Sequence, residues 1–331
     1  MKTIEKYKVY LQTVRRYSPR TVDIYVSAVE DFAAWLCRNG EIHDDNSLIE
    51  SLIPSLLREY VYHMLNAKPP KAAKTVNLHL SALSGLCQYL IKEKIISSNP
   101  VKLIPKPKVE KRLPHFFRKE AMENYYQRRK WIFDKDAYEA FENSCQSDSG
   151  KQYYSDLMSR VIISALYSLG IRRAELISLS VGDIDFGRKI VKVHGKGDKM
   201  REIPLIPSLS EELLLYLKAV ETVCGCKRSL KEPLFVTYTG KQLYPAYVDK
   251  IVKKELEGVE GITGRKSPHV LRHSLATGLM NEDASLNSIK EMLGHSSLAS
   301  TQVYTHSNIA RLKNIYEQAH PRVKNGGKHG D

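Results

Sequence analysis

The sequence contains no hydrophobic run long enough to cross a lipid bilayer. A membrane-spanning helix needs about 20 consecutive apolar residues, and even one of the longest apolar stretches of this chain, residues 213–217, is far shorter. The opening residues, Met1 to Lys6, become charged before the apolar core of a secretion signal could form. We therefore expect a protein without membrane association, located in the cytoplasm.

Cysteine is also scarce. The 331 residues include 5 cysteines, an odd number scattered along the chain, so a disulfide framework is not expected. Cys224 and Cys226 lie close together, but two thiolates without a second pair or a histidine cluster do not complete a zinc ligand set. A phosphate-binding P-loop is missing too, because residues 264–267 lack the earlier glycine that this motif requires. The sequence thus predicts neither a metal nor another cofactor.

Positive charge, by contrast, is in excess, with a formal net charge of +14. Residues 104–135 carry 10 basic and 4 acidic groups, so much of that excess falls in one short stretch. Lysine and arginine neutralise the phosphates of nucleic acids. Lys106, Lys108, Lys111 and Arg112 are therefore candidates to contact a phosphate backbone. The alternative is a solvated linker that the charges keep soluble through mutual repulsion.

The first hundred residues show the apolar periodicity of helices. Ser18 followed by Pro19 is typical of a helix start, and Asn39-Gly40 of a helix end. Between them, apolar side chains recur every three or four residues and form one buried stripe. Similar patterns predict further helices near residues 4–15, from Pro54, and over about 71–92. We expect a four-helix domain over residues 1–103, followed by a basic linker over 104–115.

Residues 116–331 combine helices with a small amount of strand. An apolar helix is predicted over residues 157–169. Two segments that alternate or pair back like strands, joined by a glycine-containing turn, are 184–193 and 201–205. Further helices are predicted at 210–220, at 247–256, from Pro268, and from Ser285 to Gly294. We expect a mostly α-helical domain with a small antiparallel sheet, whose polar, tyrosine-rich first part, residues 116–155, gives no clear prediction.

Five short segments of this second part contain arginine, lysine, histidine and tyrosine in a fixed order. They are Gly170–Leu176, Gly195-Lys196-Gly197, His269–His273, Leu293-Gly294-His295 and Tyr304-Thr305-His306. Each segment alone is a weak signal, but the ordered set is specific. It resembles the tyrosine recombinase (phage integrase) family, whose catalytic set is Arg, Lys, His, Arg, His and a nucleophilic Tyr.

The resemblance implies that this chain cleaves DNA covalently, without a metal or nucleotide. The catalytic residues that it implies are Arg172, Lys196, His269, Arg272, His295 and Tyr304. In the family the tyrosine hydroxyl attacks a phosphodiester, which gives a 3′-phosphotyrosyl link and a free 5′-hydroxyl. The matching lysine protonates the leaving oxygen, and Lys199 in the same turn is an alternative for that role.

The types of these residues suit phosphate chemistry. An arginine fork donates two parallel hydrogen bonds to phosphate oxygens and keeps its charge. His269 and Arg272 are three residues apart, so they share one face of a helix and can address one phosphate. Glu175 fits either a carboxylate that orients its neighbours or a structural ion pair.

Two segments outside the catalytic set resemble Xer-type recombinases, namely residues 18–36 and 311–322. The resemblance implies a mainly α fold, with a helical core-binding (SAM-like) domain and a mostly α catalytic domain containing a small antiparallel sheet. It also implies a double-stranded DNA recombination site as partner, and a monomer in solution that forms a tetramer on two duplexes and exchanges strands through a Holliday junction. Two other readings remain open: a type IB topoisomerase that relaxes DNA, and a DNA-binding protein that is catalytically silent.

Overall fold

The computed structural model describes residues 1–40, 44–109, 115–195, 200–281, 289 and 292–294. The chain divides into two compact units, Met1–Arg112 and Leu113–Asp331, each with its own apolar core. Both units are mainly helical, which confirms the predicted fold class. Within the described part of the chain, no helix has the length and apolarity needed to cross a membrane.

The described residues of the first unit form five α-helices. They are α1 (Lys2–Thr13), α2 (Pro19–Arg38), α3 (Asp45–Glu50), α4 (Pro54–Asn66) and α5 (Ala73–Lys92). The predicted start of α2 is confirmed, since the Ser18 hydroxyl accepts a hydrogen bond from the Thr21 N–H. The sequence prediction lacked α3, which has only six residues and one buried side chain, Leu48. Its start is fixed by the carboxylate of Asp44, which accepts from the Ser47 N–H at 2.8 Å.

The second unit contains seven α-helices among its described residues. They are α6 (Lys119–Arg128), α7 (Lys135–Ser144), α8 (Asp148–Leu169), α9 (Arg173–Ser178), α10 (Pro207–Cys224), α11 (Pro245–Glu255) and α12 (Pro268–Asn281). Helix α8 is buried on all sides along most of its length and packs against α7, α10, α11 and α12. A helix that is surrounded in this way is the central support of its domain.

The tyrosine-rich segment 116–155 folds into α6, α7 and the start of α8. Its buried tyrosines hydrogen-bond to other elements, two of them far away in the chain. The hydroxyl of Tyr125 donates to Glu255 at 3.0 Å, that of Tyr153 to the Ile132 carbonyl at 2.6 Å, and that of Tyr154 to the Val236 carbonyl at 2.9 Å. These phenols are therefore part of the core, where each ring is buried and each hydroxyl has a partner.

Three short strands form one antiparallel sheet in the order β1 (Ile184–Asp185), β2 (Ile190–His194) and β3 (Met200–Pro204). The prediction of a single strand over 184–193 was wrong, because a turn over residues 186–189 divides it into β1 and β2. The predicted pairing with the following segment is confirmed, with His194 opposite Met200 at the end of the hairpin.

Candidate active site

Arg172 lies just beyond the buried end of α8. The helix ends at Gly170, whose φ of +58° is the left-handed conformation that favours glycine. A Cβ atom at this position would approach Cδ2 of Leu293 to 2.7 Å and Cδ2 of Leu275 to 2.8 Å. This tight exit from the core therefore favours glycine strongly, and it places Arg172 at the start of α9 with its side chain partly exposed.

Glu175 holds Arg172 in place from the first turn of α9. Its carboxylate accepts from the Arg172 backbone N–H at 2.8 Å and from Nη1 of the same residue at 2.8 Å. It also accepts from Nη1 and Nη2 of Arg201, at 3.0 and 2.8 Å. Burial alone would raise the pKa of this carboxyl group, but the hydrogen bonds from Arg201 and Arg172 outweigh it and lower the pKa. Glu175 thus both orients Arg172 and forms a buried ion pair.

Arg272 is buried on α12, and its guanidinium group links two backbone segments. Nη1 donates to the carbonyl of Gly170 at 2.7 Å, and Nη2 donates to the carbonyl of Leu293 at 2.6 Å. Burial, followed by the positive charge of Arg172, lowers the pKa of Arg272 to about 10. The Arg272 guanidinium group therefore remains charged at neutral pH. The two candidate arginines, Arg172 and Arg272, are close enough for their charges to interact.

Three guanidinium groups converge on three successive backbone carbonyls, those of residues 292–294, which we call the carbonyl row. Arg201 donates from Nε to the first at 3.0 Å, Arg272 donates to the second, and Arg172 donates from Nη2 to the third at 3.1 Å. Each of these carbonyl oxygens therefore accepts a hydrogen bond from a charged donor. The row ends one residue before His295 in the sequence.

His269 precedes Arg272 by one turn on α12, as predicted from their spacing. Its Nε2 lies 2.9 Å from Nε2 of His273, and the two rings meet edge to face. Partial burial lowers the pKa of His269, and the neighbouring His273, Arg272 and Arg265 lower it further. The neutral imidazole, which can donate or accept a proton, is therefore favoured at neutral pH.

The remaining predicted residues of the site lie outside the described residues. They are Lys196, His295 and Tyr304. The strands β2 and β3 end on either side of the turn that contains Lys196, at His194 and Met200. The structure therefore brings together Arg172, Arg272, the strand ends that border Lys196 and the carbonyl row that precedes His295.

The residues of the basic linker that were predicted to contact DNA belong to the first unit, Met1–Arg112. Lys106 and Lys108 are exposed, in a segment that Asn77 ties down by donating to the carbonyl of Pro107 at 3.0 Å. Lys111 and Arg112 lie outside the described residues. Among the residues that can be described, histidine, cysteine and carboxylate side chains form no cluster suited to a metal ion.

Arg201 was absent from the sequence prediction, although it contacts both Glu175 and the carbonyl row. A signal for it exists in the strand pattern. In β3, Arg201 and Ile203 are two residues apart, so they point to the same face of the sheet. Ile203 is fully buried and Arg201 is only 5% exposed. An arginine at an inward position of a short strand indicates a buried partner of opposite charge.

Comparison with known proteins shows that this chain matches two family models. Residues 132–311 match the phage integrase family, and residues 4–94 match the N-terminal SAM-like domain of phage integrases. Tyrosine recombinase XerC of Pelotomaculum thermopropionicum is 33% identical to this chain, and the alignment covers 97% of this chain and 98% of that protein.

Two solved structures share the fold at lower identity. The XerH site-specific recombinase in a post-cleavage complex with a palindromic difH substrate is 21% identical, with a TM-score of 0.65 over 95% of this chain and 84% of that one. The lambda integrase tetramer bound to a Holliday junction is 16% identical, with a TM-score of 0.57 over 89% of this chain and 74% of that one. The predicted resemblance is confirmed: the chain belongs to the phage integrase family.

Proposed function

We propose that the protein is a site-specific DNA recombinase that cleaves and rejoins DNA through a covalent link to Tyr304. The observation that carries the proposal is the convergence of Arg172 and Arg272 on the carbonyl row beside His295. Each guanidinium group has more N–H donors than these contacts use, so both can also donate to a phosphate. Two fixed positive groups at one phosphate stabilise the negative charge that develops as a fifth oxygen approaches phosphorus.

The reaction exchanges one phosphodiester for another. The Tyr304 oxygen bonds to phosphorus while the bond to the 5′-oxygen breaks, and Lys196 supplies the proton that the 5′-oxygen takes up. In the reverse direction a 5′-hydroxyl, from the same or a second duplex, attacks the phosphotyrosyl bond and releases the tyrosine. His269 and His295 hydrogen-bond the phosphate or help to move the tyrosine proton. Because one phosphodiester replaces another of similar energy, the reaction needs no nucleotide hydrolysis to drive it.

The DNA partner is a double-stranded recombination site. Residues 1–103 form the core-binding domain, residues 104–115 a basic linker along the phosphate backbone, and residues 116–331 the catalytic domain. Four copies would act on two duplexes, by analogy with the lambda integrase tetramer on a Holliday junction, and the free protein would be a monomer. The exposed Lys106 and Lys108 support backbone contact by the linker.

The proposal is tested by trapping the covalent intermediate. DNA that stays attached to the protein under denaturing conditions is sequenced to define the site, and a duplex of that site is then nicked near the cleavage position so that rejoining is prevented. Wild-type protein should form a DNA-linked band on a denaturing gel, and Tyr304→Phe should bind the duplex equally well without forming that band. Tyr316→Phe is the matched control and should retain it. A band from Tyr304→Phe would transfer the nucleophile to another tyrosine.

The recovered DNA site and the adduct assay also test the two alternative functions, a type IB topoisomerase and a catalytically silent DNA-binding protein. A type IB topoisomerase would relax supercoiled plasmid that lacks the recovered site, whereas a recombinase requires the site and exchanges strands between two copies. A catalytically silent protein would bind DNA and yield no adduct at all.

A further inference from the structure

Arg201 donates three hydrogen bonds to two partners from a buried position on β3. Nη1 and Nη2 donate to the two carboxylate oxygens of Glu175, and Nε donates to the carbonyl of Met292. The residue therefore joins three segments that are far apart in the sequence. Its planar fork fixes the orientation of a carboxylate as well as its distance, which a lysine ammonium group cannot do.

Each of these segments lies next to a proposed catalytic residue. Glu175 holds the backbone and guanidinium group of Arg172, and Met292 opens the carbonyl row that ends just before His295. Arg201 itself is the second residue of β3, directly after the turn that contains Lys196.

Gly294 shows that the packing around Arg201 is tight. Its φ is +66°, and a Cβ atom there would approach Nη1 of Arg201 to 3.1 Å and Cζ to 3.3 Å. The end of the carbonyl row thus lies directly against the guanidinium group. A side chain at Gly294 would displace either Arg201 or the backbone that leads to His295.

Stability alone gives a weak account of this arrangement. Taking two charges out of water is costly, and replacing a buried ion pair by apolar side chains often leaves the stability of a protein unchanged or improved. Arg201 and Glu175 are each only 5% exposed. What the pair provides beyond stability is a fixed geometry between the segments that it joins.

We propose that Arg201 is a positioning residue of the recombinase site, which holds Arg172, through Glu175, and the backbone before His295 in their reactive arrangement. This inference rests on the function proposed above. Arg201 does not touch the DNA in this scheme; it acts through the groups that do. Its loss should therefore slow the cleavage step while DNA affinity is retained.

The first measurement compares Arg201→Met and Arg201→Lys with wild-type protein on the nicked duplex. Single-site affinity should change by less than about threefold, while the rate of adduct formation should fall roughly 10²-fold, the usual effect of a small misplacement of reacting groups. The lysine variant keeps the charge but not the fork, so it should also be slow.

Arg160 provides a matched control within the same unit. It is 4% exposed on α8 and pairs with Glu212 of α10 at 3.0 Å. Arg160→Met should lower the melting temperature, yet the folded protein should form the adduct at the wild-type rate. An equal loss of rate in Arg160→Met and Arg201→Met would mean that any buried ion pair has this effect, which would overturn the positioning role.

A double-mutant cycle with Arg172→Lys tests whether Arg201 acts through Arg172. Two groups that act as one unit give non-additive effects. Adding Arg201→Met to Arg172→Lys should therefore reduce the rate by clearly less than about 10²-fold, because only the contact with the backbone before His295 is still lost. A further loss of about 10²-fold in that background would overturn the proposal, as would a wild-type rate for Arg201→Met alone. If Arg201→Met does not fold, Arg201→Lys takes its place in the cycle, and failure of both to fold would assign Arg201 to stability only.

Failure of the underlying function would look different. In that case wild-type protein would give no adduct, or Arg172→Lys alone would cleave at the wild-type rate. If Arg172→Lys forms the adduct slowly and the effects of the two substitutions on that rate are additive, the proposed function is supported and only the positioning role of Arg201 is wrong.

Discussion

Nε2 of His273 lies 2.9 Å from Nε2 of His269, one helical turn away on α12. A hydrogen bond between two imidazole nitrogens needs one donor and one lone pair, so at least one of the rings must be neutral. Burial and then His273 are the main causes that lower the pKa of His269. His273 therefore helps to keep the proposed catalytic histidine neutral at the pH at which it acts.

We expect His273→Ala to raise the pKa of His269 towards its ordinary value of 6.5. A pKa that is lowered in the folded state gives stability that is present above pH 6.5 and is lost as the pH falls through the lowered pKa. The variant should therefore lose less stability than wild type as the pH is lowered from about 6.5. NMR titration of the His269 ring measures the first effect, and thermal unfolding at several pH values measures the second. An unchanged or lower pKa in the variant would contradict this role.

Gly170→Ala should destabilise the protein by about 2–4 kcal/mol. Alanine is strained at the positive φ of Gly170, and its Cβ would also collide with the side chains of Leu293 and Leu275. Gly225→Ala is the matched control, because Gly225 ends α10 at a similar φ of +68° with nothing within 4 Å of the added atom. That variant should lose only about 1 kcal/mol. Denaturant unfolding measures both, and equal losses would show that the collision is relieved at no cost.

The features that the sequence predicted well depend on neighbours in the chain. The start of α2 at Ser18 and Pro19 is a local capping signal, and the helical stripes repeat within a few residues. The turn that divides residues 184–193 was missed because both halves alternate like one strand, although Arg188 N–H donates to Asp185 across the turn at 2.8 Å.

The features that the sequence did not predict depend on partners far away in the chain. The fold of the tyrosine-rich segment depends on such a partner, since Tyr125 donates to Glu255, which follows 130 residues later. In the same way the sequence left Glu175 open between an orienting carboxylate and a structural ion pair, because its second partner, Arg201, follows 26 residues later on another element. Motif spacing indicates which residues react, whereas the contacts that hold those residues in place can be identified only from the folded structure.

Lys196→Ala should reduce the cleavage rate by roughly 10²–10⁴-fold, because the leaving 5′-oxygen would lose its proton donor. A substrate in which that oxygen is replaced by sulfur needs little protonation, so it should largely restore the rate. Adduct formation on the two substrates measures the effect. If Lys196→Ala is equally slow on both, Lys196 is not the acid, and Lys199→Ala should be examined in the same way.

Neutralising Lys106, Lys108, Lys111 and Arg112 together should weaken the salt dependence of DNA binding. Each phosphate contact contributes a slope of about −0.9 to the logarithm of affinity against the logarithm of salt concentration. Phosphate contacts carry no sequence information, so preference for the recovered site should remain. Binding titrations at several salt concentrations measure both quantities.

The control for this experiment removes the same charge elsewhere. Four exposed lysines of the second unit serve this purpose, namely Lys218, Lys227, Lys231 and Lys241. If the two quadruple variants lower the slope equally, net charge rather than contact by the linker determines the affinity. An unchanged slope in the linker variant would mean that the linker does not touch the backbone.

The chain continues beyond Tyr304 with an apolar pattern that a completed active site does not require. Ile309, Leu312, Ile315 and Tyr316 recur at helical spacing, and all of them lie outside the described residues. Such a stripe needs a surface to cover it. The surface can belong to the same catalytic domain or, as the family resemblance implies, to a neighbouring subunit, in which case each tyrosine would be coupled to assembly.

We expect truncation after Thr305 to preserve binding to a single half-site but to abolish recombination and cooperative occupancy of adjacent half-sites. The reason is that a stripe docked on a neighbour contributes to assembly and not to the fold of its own subunit. Gel-shift titrations on DNA with one and two half-sites, together with a recombination assay on the same DNA, measure both effects. A milder variant, Leu312→Ser with Ile315→Ser, should show the same pattern with the full chain length retained. If the truncated protein unfolds, the stripe packs on its own domain, and if it still recombines, exchange between subunits does not use this segment.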